Sequence, residues 1–110
     1  VTGTGGVVDL ASDGTTLQVV LHGAVDLAVR EAAHDVWAAL ASGSEGAVAV
    51  DCRDVTFMDS TGLSVLVRLV RDARAAGRAV RLVGASRQVT EVLAVTGVDE
   101  WMRVQGVEGL

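Results

Sequence analysis

Phe57-Met58-Asp59-Ser60-Thr61-Gly62-Leu63 sits where an apolar strand gives way to an apolar helix. Upstream, Val48-Ala49-Val50-Asp51 reads as a buried strand. Downstream, Leu63, Leu66, Val67, Val70 and Ala73 recur at helical spacing. Two hydroxyls and a carboxylate thus stand at a helix N-terminus, where the first backbone N–H groups lack partners and the dipole favours negative charge. A phosphate added there would be tolerated by the fold and conspicuous to a partner, which is what a phosphorylation switch requires. The same residues have a plainer reading. Asp, Ser and Thr are the preferred N-cap residues, and on physical grounds alone capping is the commoner role.

The flanking sequence extends this strand-to-helix unit into an alternating run. Residues 7–11 predict a short strand, and Asp13-Gly14 a hairpin turn. Leu17, Val19 and Leu21 alternate with Gln18 and His22 as a half-buried second strand. Asp26 opens a helix running to about residue 41, with Val29, Ala33, Val36, Trp37 and Leu40 on one face. Residues 42–46 are a loop, 47–51 a third strand, 61–76 a second helix stopped by Gly77, and 79–83 a fourth strand. Ser86 caps a third helix carrying Val89, Val92 and Leu93, which Gly97 stops, and residues 101–104 close the run as a short strand. With no proline, repeat or low-complexity stretch, the pattern is a β-hairpin followed by βαβ-like units. An α/β fold results, a mixed sheet covered by helices.

Composition bounds the partners. A chain of 110 residues makes one domain (1–110) with a single core, and residues 1–6 are expected to be disordered or added by cloning. Half of the residues are hydrophobic but only three are aromatic, so the core must be built from Val, Leu and Ala. No apolar run approaches the ~20 residues of a membrane span, and the N-terminus has neither the basic start nor the apolar stretch of a signal peptide. A single cysteine, Cys52, excludes an internal disulfide and fits a reducing compartment, so the expected location is the cytoplasm. Nine arginines, with no lysine, face fourteen acidic residues for a net charge of −5. The arginines are scattered, mostly on polar helix faces, so nucleic acid is not the expected partner; a protein with a basic docking face is.

Leu21-His22-Gly23-Ala24-Val25-Asp26, the strand end Val50-Asp51, the central Asp59-Ser60-Thr61-Gly62-Leu63, then Val80-Arg81-Leu82-Val83-Gly84 and Val92-Leu93-Ala94-Val95-Thr96-Gly97 resemble a STAS domain. In particular they resemble the bacterial anti-sigma factor antagonists, from about residue 7 to 104. The resemblance implies a STAS-type mixed sheet and places the phosphorylated serine at Ser60. It also puts the acid of the loop before the first helix at Asp26, and a partner-binding surface on Asp26, Asp59, Ser60, Thr61, Gly62 and Leu63. It further implies two partners: an anti-sigma factor serine kinase, bound while the serine is unmodified so that a sigma factor is released, and a serine phosphatase that resets the switch. No cofactor is implied. Two departures stand out. Ala24 replaces the glutamate common in that loop, and the chain stops at Leu110 where many members continue into another helix, which would leave Trp101 and Met102 exposed.

Other classes fit less well. A receiver-like phosphoacceptor on Asp51 or Asp59 would resemble two-component receivers, which use a lysine this chain lacks. A regulatory STAS domain from an anion transporter or a larger sensor is the alternative of the same fold. An enzyme is disfavoured, with no nucleophile–base set in recognisable context and no phosphate-cradling glycine loop. Asp51 and Asp54 crowd one strand end as a metal site might, but such residues more often cap turns. His22 and His34 read as a strand-face and a helix-surface histidine, and Cys52 as a small buried packing residue.

Overall fold

The computed structural model describes residues 7–12, 15–41 and 46–110. The elements are β1 (Val7–Ser12), β2 (Thr16–Val25), α1 (Leu27–Ala32), α2 (His34–Ala41), β3 (Ala47–Met58), α3 (Ser60–Ala75), β4 (Val80–Ala85), α4 (Arg87–Thr96) and α5 (Val98–Val104). The strands form one sheet in the order β1-β2-β3-β4, with β1 antiparallel to β2, and β2, β3 and β4 parallel. This is the mixed α/β sheet with an N-terminal hairpin that the sequence predicts. The Asp13-Gly14 turn, residues 1–6 and loop residues 42–45 fall outside the described residues.

Sequential strand order and right-handed crossovers place successive helices on the same face of a sheet. The burial pattern agrees. In β2 Leu17, Val19, Leu21 and Val25 are buried while Gln18 is exposed and Val20 half-covered. The molecule is 18 Å deep in its thin dimension, the depth of one sheet under one helical layer. Leu66, Leu69 and Val70 of α3 pack into a core with Val19, Leu21, Val48 and Val50, and none of the three aromatic residues is fully buried. The buried stripe of α3 is Gly62, Val65, Leu66, Leu69, Val70 and Ala73. Leu63 and Val67, expected on that stripe, lie on its margin, half-buried.

Three elements depart from expectation. The single helix expected from Asp26 is divided at Ala33. No proline or glycine marks the division, and hydrogen bonds from Ala33 N to Val29 O (2.8 Å) and from Trp37 N to Ala33 O (3.1 Å) run across it. The third strand continues seven residues past Asp51 to Met58. Its pairing with β2 shows why: Val20 faces Asp51 but His22 faces Asp54, and Gly23 faces Val55 but Ala24 faces Phe57. Each step inserts one extra residue in β3 and breaks the period-2 pattern, leaving Arg53 with Asp54, and Thr56 with Phe57, exposed in succession. Residues 101–104 are helical, not a strand. Gly97, at φ 78°, ends α4 and starts α5, whose first turn carries Asp99 and Glu100 and whose last carries Arg103, matching the helix dipole. The strand-like role passes to the tail, where Leu82 N donates to Glu108 O (2.7 Å) and Glu108 N to Val80 O (3.1 Å) along the free edge of β4. Met102 is 1% exposed and Trp101 half-buried, so the expected exposure of this pair does not occur. Between Gly77 and β4, Arg78 is buried, its Nε donating to Gly46 O at 3.0 Å.

The start of α3 is fixed by a close backbone approach. A Cβ placed on Gly62 would collide with the carbonyl oxygen of Val25, the last residue of β2. That carbonyl also accepts from Asp59 N at 3.4 Å. The absent side chain is what lets helix and strand end meet. Gly62→Ala is expected to destabilise the fold by about 1–3 kcal/mol, the usual cost of forcing atoms into a packed site. Urea unfolding measures it, and an unchanged midpoint would show that the junction can open without cost.

Candidate functional site

Because Asp59 is extended (φ −102°, ψ −172°), its side chain can turn back on the helix it precedes. Its Oδ1 accepts from Gly62 N at 2.9 Å, and its carbonyl accepts from Leu63 N at 2.9 Å. Asp59 is therefore the N-cap of α3, and the plainer of its two readings holds in full. Ser60 is the first helical residue and is exposed. Among the described residues no hydrogen bond holds its hydroxyl. Since Asp59 performs the capping, the Ser60 hydroxyl is not needed to satisfy the helix start. Thr61 beside it is half-buried, and its carbonyl accepts from Ser64 Oγ at 2.7 Å.

The other expected site residues meet at the same end of the sheet. Asp26 follows Val25 directly, and its carbonyl accepts from Val29 N at 3.0 Å as α1 begins. Val25 in turn touches both Asp59 and Gly62, so the two acidic segments lie side by side. Gly62 is buried against the chain's own β2, and Leu63 is partly buried against the core. The sequence reading missed Phe57. It is 51% exposed three residues before Ser60, beside Ala24 of the Asp26 segment. The available signal was an aromatic next to Met58 at a strand end, but only the bulges of β3 turn it outward.

Asp51, His22 and Cys52 are engaged in the fold itself. Asp51 is clasped by Arg53, which donates from Nη2 at 2.7 Å, from Nε at 3.1 and 3.2 Å and from its backbone N at 3.0 Å. The Arg53 side chain holds the Asp51 carboxyl below the usual carboxylate range, against the opposing effect of desolvation. The pair resembles a structural clasp more than half of a metal site. Among the described residues no three His, Cys, Asp or Glu side chains gather as metal ligands. His22 lies on the sheet with Nε2 2.9 Å from Asp9 Oδ2, and His34 is exposed near Glu31. Cys52 is buried, and desolvation, aided by the Asp51 charge, pushes its thiol up to about 12. Such a thiol is a packing group, not a nucleophile.

Comparison with known proteins agrees with this fold. The family described as "Mlab, STAS domain" matches residues 8–106. Over 60 residues the chain is 33% identical to the anti-sigma-B factor antagonist of Listeria monocytogenes, covering 54% of this chain and 53% of that protein; the same figures hold for its Listeria innocua counterpart. The chain thus spans about half the length of these curated relatives. Its fold is similar to the unphosphorylated anti-sigma factor antagonist SpoIIAA, with TM-score 0.74 and 23% identity over 86% of this chain and 84% of that one. It is also similar to an anti-sigma factor antagonist from Mycobacterium paratuberculosis, with TM-score 0.72 and 17% identity over 99% and 90%. Among the described residues no helix is long and apolar enough to cross a membrane. The family match covers nearly the whole chain and all four strands of the sheet, and the chain belongs to the STAS domain family.

Proposed function

We propose that this STAS domain is an anti-sigma factor antagonist, a binding protein rather than an enzyme, switched by phosphorylation of Ser60. In this reading the unmodified domain docks on an anti-sigma factor serine kinase in the cytoplasm and so releases a sigma factor. The kinase phosphorylates Ser60 and the complex separates; a serine phosphatase restores the first state. The observation that carries the reading is the division of labour at the start of α3. Asp59 caps the helix, while Ser60 stands exposed with its hydroxyl unused by the fold.

The switch is electrostatic. Phosphorylation adds about −1.5 to −2 charge at neutral pH. Within the domain the charge sits at the favourable end of the α3 dipole, worth about 0.3–1 kcal/mol in exposed settings. Across an interface the balance reverses, because a docked partner would have to desolvate a dianion beside Asp59 and the Asp26 segment. Disrupting a buried polar contact costs about 2–5 kcal/mol, equivalent to roughly 30- to 4000-fold in affinity at about 1.4 kcal/mol per decade. Thr61 and Leu63 flank the docking surface, Phe57 adds an aromatic contact, and Gly62 sets the depth at which the helix start lies. Docking changes while the fold stays the same.

Incubation with candidate anti-sigma kinases and ATP, read by intact mass and site mapping, tests the assignment. One phosphate is expected, located on Ser60 and absent from Ser60→Ala, which should still bind the kinase. Phosphate on Thr61 would refute it. Ser60→Asp carries one charge and fewer acceptor oxygens than a phosphoserine, so it should weaken kinase binding by less than true phosphorylation does. Its melting temperature should stay at or slightly above the parent value. Calorimetric titration beside a thermal melt checks both, and full affinity in Ser60→Asp would place docking elsewhere.

A further inference from the structure

The face of α3 that presents Ser60 continues through Ser64, Arg68 and Arg71, spaced four, four and three residues apart and therefore in line along one side of the helix. Beside this stretch lies a groove of about 680 Å³ between α3 and the α1–α2 segment, walled by Glu31, His34, Trp37, Ser64, Arg68 and Arg71. A water takes about 30 Å³ of the liquid, so the groove has room for several side chains rather than one ion. Its two arginines are held in place. The Arg68 guanidinium lies 4.2 Å from the centre of the Trp37 ring. One carboxylate, Asp72, fixes both from behind: Oδ2 accepts from Arg68 Nε at 3.1 Å, and Oδ1 accepts from Arg71 Nε at 3.4 Å.

Both Asp72 bonds use the inner Nε–H groups. Among the described residues the outer Nη groups of Arg68 and Arg71 carry no hydrogen bond. A guanidinium with its outer fork open is shaped for bidentate pairing with a carboxylate, and pre-positioning removes much of the entropy that pairing otherwise costs. Of the acidic groups nearby, Asp72 is already used by the two arginines, and Glu31 faces His34 at 3.6 Å. The indole of Trp37 gives the groove an apolar floor beside these charges. The exposed face of α3 is thus polarised, with Asp59 at its start and paired arginines two to three turns further on, about 14–18 Å along the axis at about 1.5 Å per residue.

We infer that this groove receives an acidic segment of the anti-sigma partner, with Arg68 and Arg71 pairing its carboxylates and Trp37 supporting the apolar part of the chain between them. The inference rests on the reading of Ser60 as a docking-site residue and adds to it a second contact of opposite charge. That contact fixes the direction in which the partner lies along α3. A phosphate at Ser60 then acts at one end of the interface and leaves the arginine end unaltered.

Two measurements test it separately from Ser60. In the first, the full chain is titrated with an octaglutamate peptide at low salt and followed by amide and indole NMR shifts. Saturable shifts confined to residues 31–37 and 64–71 and to the Trp37 indole are expected, weakened at least tenfold in an Arg68→Gln/Arg71→Gln double variant whose spectrum stays dispersed. No shifts, scattered shifts, undiminished binding by the double variant, or equal affinity for inorganic pyrophosphate at the same residues would overturn it, the last by making the groove a small-anion site. In the second, the kinase that phosphorylates Ser60 is titrated calorimetrically. Arg68→Glu should weaken it at least tenfold, and Arg87→Glu on α4 less than twofold; equal effects would overturn the inference. Phosphate mapping at Ser60 stands apart from both, so the groove can fail while the switch holds, and the reverse.

Discussion

The carbonyl of Val25, the last residue of β2, is the point on which the site depends. Asp59 N donates to it, and Gly62 must lack a side chain to lie against it. This contact fixes how α3 leaves the sheet and sets the Asp26 and Asp59 segments side by side. It also determines which residues of the first turn face outward. With Gly62 turned in and Asp59 committed to capping, Ser60 is left at the surface. A buried glycine and an exposed serine two residues apart follow from one geometric constraint.

The same constraint leaves the helix cap independent of Ser60. The helix start is satisfied by Asp59 through a side-chain and a backbone bond, so a charge at Ser60 need not compete with the cap. The fold is anchored elsewhere, in the buried stripe of α3 against β2, β3 and β4 and in the tail strand that pairs with Val80 and Leu82. A site arranged in this way can carry a large change in charge at little internal cost, because the first turn of a helix already favours anions. Polarity along α3, acidic at its start and basic further on, would give the proposed docking surface a direction.

Much of this was legible in the sequence. The antiparallel β1–β2 pair, the succession of strands and helices from β3 through α4, the Ser86 cap and the Gly97 stop all follow from periodicity and from turn and cap residues, and the structure keeps them. What was not legible depended on tertiary contacts. Asp51-Cys52-Arg53-Asp54 looks like the end of a strand because charged residues break the alternation, yet β3 continues through two insertions that only its pairing with β2 reveals. The same insertions turn Phe57 outward. Trp101-Met102-Arg103-Val104 is too short to show its own period, and its helical state is set by Gly97 before it and by acidic and basic residues at its ends. At the site, the strand-to-helix junction was evident from Asp59-Ser60-Thr61-Gly62. The partner of Gly62 was not, since Val25 lies far away in sequence and makes the contact through its backbone.

Amide hydrogen exchange at Gly62 and Leu63, compared between the unmodified and Ser60-phosphorylated domain, tests the central claim most directly. Both amides are held by Asp59, one by its carboxylate and one by its carbonyl. If phosphorylation alters docking and not folding, their protection should be equal in the two forms, or slightly greater with phosphate at the favourable end of the dipole. Loss of protection at these two amides on phosphorylation would contradict the account, because it would mean that the added charge acts by opening the start of α3.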